Sequence, residues 1–145
     1  MSRPTPVLTR RSLPMALLRA REAVMSRFRP LLAEHGVTEQ QWRVIRILGE
    51  SGPLDATELA GRCVILGPSL TRIIRDLATR RLITRKADRE DGRRVVLDVT
   101  AKARSMIISM LPEIRDVYDA LELEFGTERL EQVLDVLEEL AETRV

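Results

Sequence analysis

After residue 80 the apolar residues of this chain change their spacing, from a period of about 3.6 to one of about 2. Upstream lie two short amphipathic segments, 55–63 and 68–80, joined by "VILG". Downstream lie "LITRKAD" (82–88) and "RVVLDVT" (94–100), rich in β-branched residues. A helix buries a stripe and a strand buries alternate residues. The switch therefore predicts a helix-turn-helix followed directly by a β-hairpin. The hairpin tip is "DREDGRR", residues 88–94. It is too long for a tight turn, and Gly92 is expected to let it close.

The flanking sequence is helical. Leu13, Leu17, Val24, Phe28 and Leu31 share one face of a first helix, which Pro30 should kink or end and His35-Gly36 should close. Thr38 with Gln41 forms a capping box for a second helix to about Glu50, with Trp42, Ile45 and Leu48 on one side. "SGPLD" is a turn. Asp55 with Glu58 caps the short helix ending at Cys63, and Pro68 suits the first turn of the next. Thr100 caps a long helix with Ala103, Ile107, Met110, Ile114, Val117 and Leu121 on one side, bent at Pro112. "GTERL" starts a last helix striped by Leu130, Val133, Leu134, Leu137 and Leu140. The predicted order is α-α-α-α-β-β-α-α, a mostly α chain with one small hairpin.

At 145 residues the chain suits a single domain with a real core. No apolar run approaches the roughly 18–20 residues of a membrane helix, and the arginine-bearing start is a basic arm, not a signal peptide. One cysteine, Cys63, precludes an intramolecular disulfide and fits a reducing cytoplasm. It ends a short amphipathic helix and is expected in the core rather than as a redox switch.

The net charge of +2 hides a segregation. Residues 1–30 carry +6, 31–61 carry −3, 62–104 carry +7 and 105–145 carry −8. A basic middle beside an acidic end favours a polyanionic partner. Aromatic residues make up only 3% of the chain, against single-strand binding by base stacking.

On the second short helix Leu70, Ile73, Ile74 and Leu77 should face inward. Ser69, Thr71, Arg72, Arg75, Asp76 and Thr79 then face outward. Arginine can grip guanine O6 and N7 with two hydrogen bonds, and a hydroxyl can reach a base edge or a phosphate. A solvated amphipathic helix would look the same alone; the adjoining basic hairpin is what favours duplex DNA. Arginine suits a narrow minor groove, and Asp88 and Asp91 are placed to pre-set one.

The pattern D-x-x-D-x-R followed by "VVLDVT" resembles the wing of the MarR family of winged-helix transcription regulators, and the helix order matches over about residues 10–143. Residues 17–48, with "ILGPSLTRI" (65–73), resemble its subgroup of homoprotocatechuate degradation operon repressors. The resemblance implies a homodimer built by helices 10–35 and 101–143, with a DNA-binding lobe over 38–100 and a pseudo-palindromic operator. It implies that Ser69, Thr71, Arg72 and Arg75 contact the major groove. It also implies that Arg93 enters the minor groove, held by Asp91. The family often has arginine where this chain has Glu90, so Arg89 or Arg94 could share that contact. It commonly has glycine where this chain has Arg81, so the exit from the recognition helix could differ.

Many members of the family release DNA when a small aromatic acid binds between the dimer helices and the DNA-binding lobe. Here Arg21 lies in register with Leu17, Val24 and Phe28, where a charge needs a partner. His35, Trp42 and Arg46 lie near the junction of the first two helices. Arginine for a carboxylate, histidine for a hydroxyl and tryptophan against a ring would suit such an effector. The subgroup points to a hydroxyphenylacetate or its catechol. Alternatively, Arg21 pairs with an acid of the dimer mate. No grouping has catalytic or metal-ligand spacing, so no cofactor or enzymatic activity is expected. Regulation of another phenolic or stress response, and a winged-helix domain that binds protein, are the competing readings.

Overall fold

The computed structural model describes residues 11–143; most of the basic arm, and the first residue of the expected N-terminal dimerisation segment, lie outside them. The elements are α1 (Leu13–Glu34), α2 (Glu39–Ser51), β1 (Leu54–Asp55), α3 (Ala56–Cys63), α4 (Gly67–Thr79), β2 (Ile83–Ala87), β3 (Val95–Val99), α5 (Ala101–Phe125) and α6 (Thr127–Glu142). The chain forms two compact units, one through Ile108 and one from Ser109. Among the described residues no helix is long and apolar enough to cross a membrane.

The first unit is a winged helix. Its core includes Leu32, Val44, Ile45, Leu48, Leu59, Cys63, Leu70, Leu77, Leu82 and Leu97, all fully or almost fully buried. They come from α1 to α4, from the residue just before β2 and from β3, so one core fixes the helix-turn-helix against the wing. The sheet differs from the expected hairpin. It has three antiparallel strands in the order β1-β3-β2. The turn "SGPLD" contributes the extra one, with Leu54 opposite Leu97 and Asp55 opposite Val96. Two residues are too few for an alternation to show in sequence.

Pro30 does not end the first helix; α1 continues to Glu34. A proline inside a helix costs about 3 kcal/mol. Phe28, Leu31 and Leu32 around it are buried, and each contributes about 1.5–3 kcal/mol when it leaves water. Tertiary burial outweighs the missing hydrogen bond. Likewise α5 runs through Pro112.

Three helices of this unit end by the same device. A residue in the left-handed region follows each helix: Gly36 at φ 71°, Val64 at φ 55° and Arg81 at φ 60°. The next residue then donates to a carbonyl five positions back: Val37 to Leu32 (3.0 Å), Ile65 to Ala60 (3.1 Å) and Leu82 to Leu77 (2.9 Å). Val37, Ile65 and Leu82 are all buried, so each closure turns the chain and seats an apolar side chain in the core. Gly36 meets this conformation at little cost. Arg81 does so at about 1–2 kcal/mol. The position where the family commonly has glycine therefore does take a glycine-like conformation in this chain.

In the second unit, Val133, Leu134, Val136, Leu137 and Leu140 on α6 are exposed, as are Leu111, Tyr118 and Leu123 on α5. The Arg129 guanidinium stacks over the Phe125 ring at 4.1 Å. In the first unit, Leu13, Leu17, Leu18 and Val24 of α1 are exposed as well.

Cys63 is a free, buried thiol. Burial pushes its pKa up, against the opposing effect of the Arg43 guanidinium. The thiolate, not the thiol, is the reactive form. An Ellman titration of the native protein at neutral pH should therefore show almost no reaction within minutes, and full reaction after denaturation. Arg81→Gly should raise the free energy of unfolding in urea by about 0.5–1 kcal/mol, the strain relieved less the flexibility gained, whereas Gly36→Ala should lower it.

Candidate nucleic-acid interface

The apolar stripe of α4 is buried through Leu70, Ile73, Ile74 and Leu77. Ser69, Thr71, Arg72, Arg75, Asp76 and Thr79 are all outside the core, on the opposite side of the helix. The helix thus presents a continuous polar face with two guanidinium groups one turn apart. Two hydroxyls on it are partly committed: Thr71 Oγ1 donates to the Gly67 carbonyl and Thr79 Oγ1 to the Arg75 carbonyl, both at 3.0 Å. Toward a ligand, each can then only accept.

The C-terminal end of α4 is held from three sides. Arg80 Nη1 donates to the Gly36 carbonyl at 2.7 Å, and Lys102 Nζ to the Arg80 carbonyl at 3.1 Å. Thr100 Oγ1 donates to the Arg81 carbonyl at 2.7 Å, and the same oxygen caps α5 by accepting from the Ala103 N–H.

The wing tip occupies residues 88–94, between strands ending at Ala87 and starting at Val95. The Asp88 N–H donates to the Arg94 carbonyl at 2.8 Å, and the Arg94 N–H to the Asp91 carbonyl at 3.0 Å. Gly92 plays no special part in the closure. It is not among the positive-φ glycines, and no atom lies within 4 Å of where its Cβ would be.

Asp91 does not hold the guanidinium of any described arginine. Its Oδ1 accepts from the Arg93 main-chain N–H at 3.1 Å, and Asp88 Oδ1 accepts from the Glu90 N–H at 3.1 Å. Both acids shape the tip locally, as short polar side chains do in turns. The arginine that is held is Arg94. Its Nη2 lies 2.9 Å from Asp55 Oδ2 and its Nη1 3.8 Å from Asp88 Oδ2. Arg89 and Arg93 make no ion pair with a described residue, and Arg93 is exposed. Arg94 thus anchors the root of the wing, with Asp55 as its nearer partner and the expected Asp88 as its more distant one, while Asp91 braces the Arg93 main chain rather than its side chain.

The sequence marks Asp55 only as a helix cap. It does cap α3, with Oδ1 accepting from the Glu58 N–H at 2.8 Å, although only that half of the expected capping box with Glu58 appears. Its second oxygen is what reaches the wing. Nothing in the local sequence signals a partner thirty-nine residues away.

The residues expected around an effector are dispersed in character. Phe28 is buried; His35 and Trp42 are half-buried. Arg21 is paired within the chain, to Glu39 in the first turn of α2. Glu39 also lies 3.7 Å from both Arg29 and Arg43. The acid that meets Arg21 is thus supplied by the same chain. Arg29 in turn hydrogen-bonds Glu22 and holds that carboxyl below the usual carboxylate range. Arg46 Nε pairs with Glu50 at 2.9 Å on the exposed side of α2. A shallow depression on the same unit is lined by Ile47, Glu50, Ser51 and Arg62, none of them among the five expected residues.

Comparison with known proteins gives a consistent result. The MarR family model matches residues 35–94. The homoprotocatechuate degradative operon repressor of Escherichia coli is 40% identical over 128 residues, 88% of this chain and 86% of that one. The HTH-type transcriptional regulator FarR of Neisseria gonorrhoeae is 41% identical over 130 residues, 90% of this chain and 89% of that one. Among solved structures, NadR in complex with 4-hydroxyphenylacetate superposes with a TM-score of 0.84 at 39% identity, covering 98% of this chain and all of that one.

The Arg94–Asp55 pair is partly solvated, so it adds under about 1 kcal/mol to global stability; its effect is local. Arg94→Ala and Asp55→Asn should both speed amide hydrogen exchange across residues 88–95. Asparagine preserves the helix cap and so isolates the ion pair. Arg93→Ala should leave those rates unchanged.

Proposed function

The chain belongs to the MarR family, and on that premise we propose that it is a homodimeric DNA-binding repressor of an aromatic-acid catabolic operon, released from its operator by an aromatic carboxylate. The observation that carries this reading is the outward face of Ser69, Thr71, Arg72 and Arg75 on α4, followed in the chain by a wing whose Arg89 and Arg93 make no ion pair with a described residue. The major groove, about 12 Å wide, admits an α-helix, and arginine there reads guanine. Arg93 would enter the adjacent minor groove, where the potential is most negative.

Exposed apolar residues on α1, α5 and α6 supply the surface for a homodimer. A two-fold would set the recognition helices about one helical turn, ~34 Å, apart on a pseudo-palindromic site. The effector acts by favouring a dimer in which that spacing is lost. Its class rests on the relatives: one bears the name of a homoprotocatechuate operon repressor and another is solved with 4-hydroxyphenylacetate. Arg21, Phe28, His35, Trp42 and Arg46 are the residues proposed to line its site. Because Arg21 already faces Glu39 and Arg46 already faces Glu50, an entering carboxylate would have to displace an acid of the chain to use either guanidinium.

Fluorescence anisotropy with a duplex selected from a random pool tests the DNA contact. Arg93→Ala should weaken binding and reduce the slope of log affinity against log salt by about 1. An unchanged slope would remove Arg93 from the interface. 4-Hydroxyphenylacetate or 3,4-dihydroxyphenylacetate should raise the melting temperature and lower affinity for that duplex, with the response blunted in Arg21→Ala. Indifference to both compounds would overturn the effector class and leave the DNA contact standing.

A further inference from the structure

Two residues in the turn between α3 and α4 go against the preferences of the folded chain. Val64 sits in the left-handed region at φ 55°, where glycine is favoured and a β-branched side chain is strained. Its own side chain is 86% exposed, so the valine gains nothing by burial that a glycine in the same turn would lack. Leu66 occupies the N-cap of α4, where Ser, Thr, Asp or Asn would accept a hydrogen bond from the helix. It makes no such bond and is 79% exposed. Ile65 between them is buried and does the packing for the turn.

One departure is of backbone conformation and the other of capping, so they are independent. Both place an apolar side chain in water at the leading end of the recognition helix. The fold needs the left-handed turn but not a valine in it, and strain of that kind persists where function uses it. The leading end of a recognition helix is the part that meets base edges. The apolar group that base edges offer in the major groove is the C5-methyl of thymine.

Resting on the DNA-binding reading above, we propose that Val64 and Leu66 form an apolar contact with thymine methyl groups in each operator half-site, and so determine sequence at positions the arginines do not read. Arg72 and Arg75 supply hydrogen bonds that favour guanine; the turn supplies a surface that favours thymine. The two kinds of contact fail in different ways, because a methyl contact is insensitive to salt.

The test uses the full-length protein and the best duplex it selects from a random pool. Each thymine is replaced in turn by deoxyuridine, which lacks only the C5-methyl. At one or two positions per half-site, affinity should fall roughly fourfold, as for one methyl group returned to water. Val64→Gly and Leu66→Ser should each abolish that discrimination at its own position and bind the selected duplex more weakly, with an unchanged salt slope. Both variants should also melt higher than the parent, since one relieves strain and the other installs a cap; loss of fold therefore cannot mimic the result. Wild-type indifference to every replacement would overturn the proposal, as would discrimination that survives in both variants. Dissociation of the variants to monomers would overturn it too, because the pair would then be an interface between copies. If the wild type selects no sequence at all, the DNA-binding reading itself falls.

Discussion

A single carboxylate ties the helix-turn-helix to the wing on top of the core that they share. Asp55 lies in β1, opposite Val96 of the wing strand β3. One of its oxygens caps α3 and the other meets Arg94. The first helix of the helix-turn-helix, the third strand of the sheet and the root of the wing thus converge on one residue. None of these contacts is worth much alone. Their value is geometric, since each removes a direction in which the wing could shift against the helices. Arg94 gains as well: held by Asp55 and near Asp88, it costs less entropy to keep in place than a free arginine would.

What could be read from the sequence divides by distance along the chain. The stripe Leu70, Ile73, Ile74, Leu77 and the outward face of α4 follow from helical spacing, and their burial and exposure match it residue by residue. The seven-residue tip follows from where the alternation stops. The partner of Arg94 does not follow, because three acids lie within the tip and the one that binds most closely lies before α3. The strand at Leu54 and the hub at Glu39 were hidden for the same reason. Each is defined by a neighbour far along the chain, and spacing carries no information about it.

Pro30 and Arg81 show a second limit. Local rules assign each a penalty, and both penalties are real. The fold absorbs them because the next residues in the chain are buried: Leu31 and Leu32 after Pro30, Leu82 after Arg81. A residue's preference is a small energy, and core burial of its neighbours is a larger one.

The hold on α4 at Arg80 and Arg81 has a mechanical consequence. The helix is fastened to the α1–α2 corner and to the start of α5 at one end, whereas its other end begins at the exposed turn. It has thirteen residues, a lever of about 20 Å. A rotation of about 5° at the fastened end carries the far end through about 1.7 Å, enough to stretch a hydrogen bond of ordinary length past its working range. The fastening is therefore also an amplifier: a small displacement at the fastened end is magnified at the leading end of α4. Stiffness along α4, secured by the continuous buried row from Leu70 to Leu77, is what delivers it undiminished.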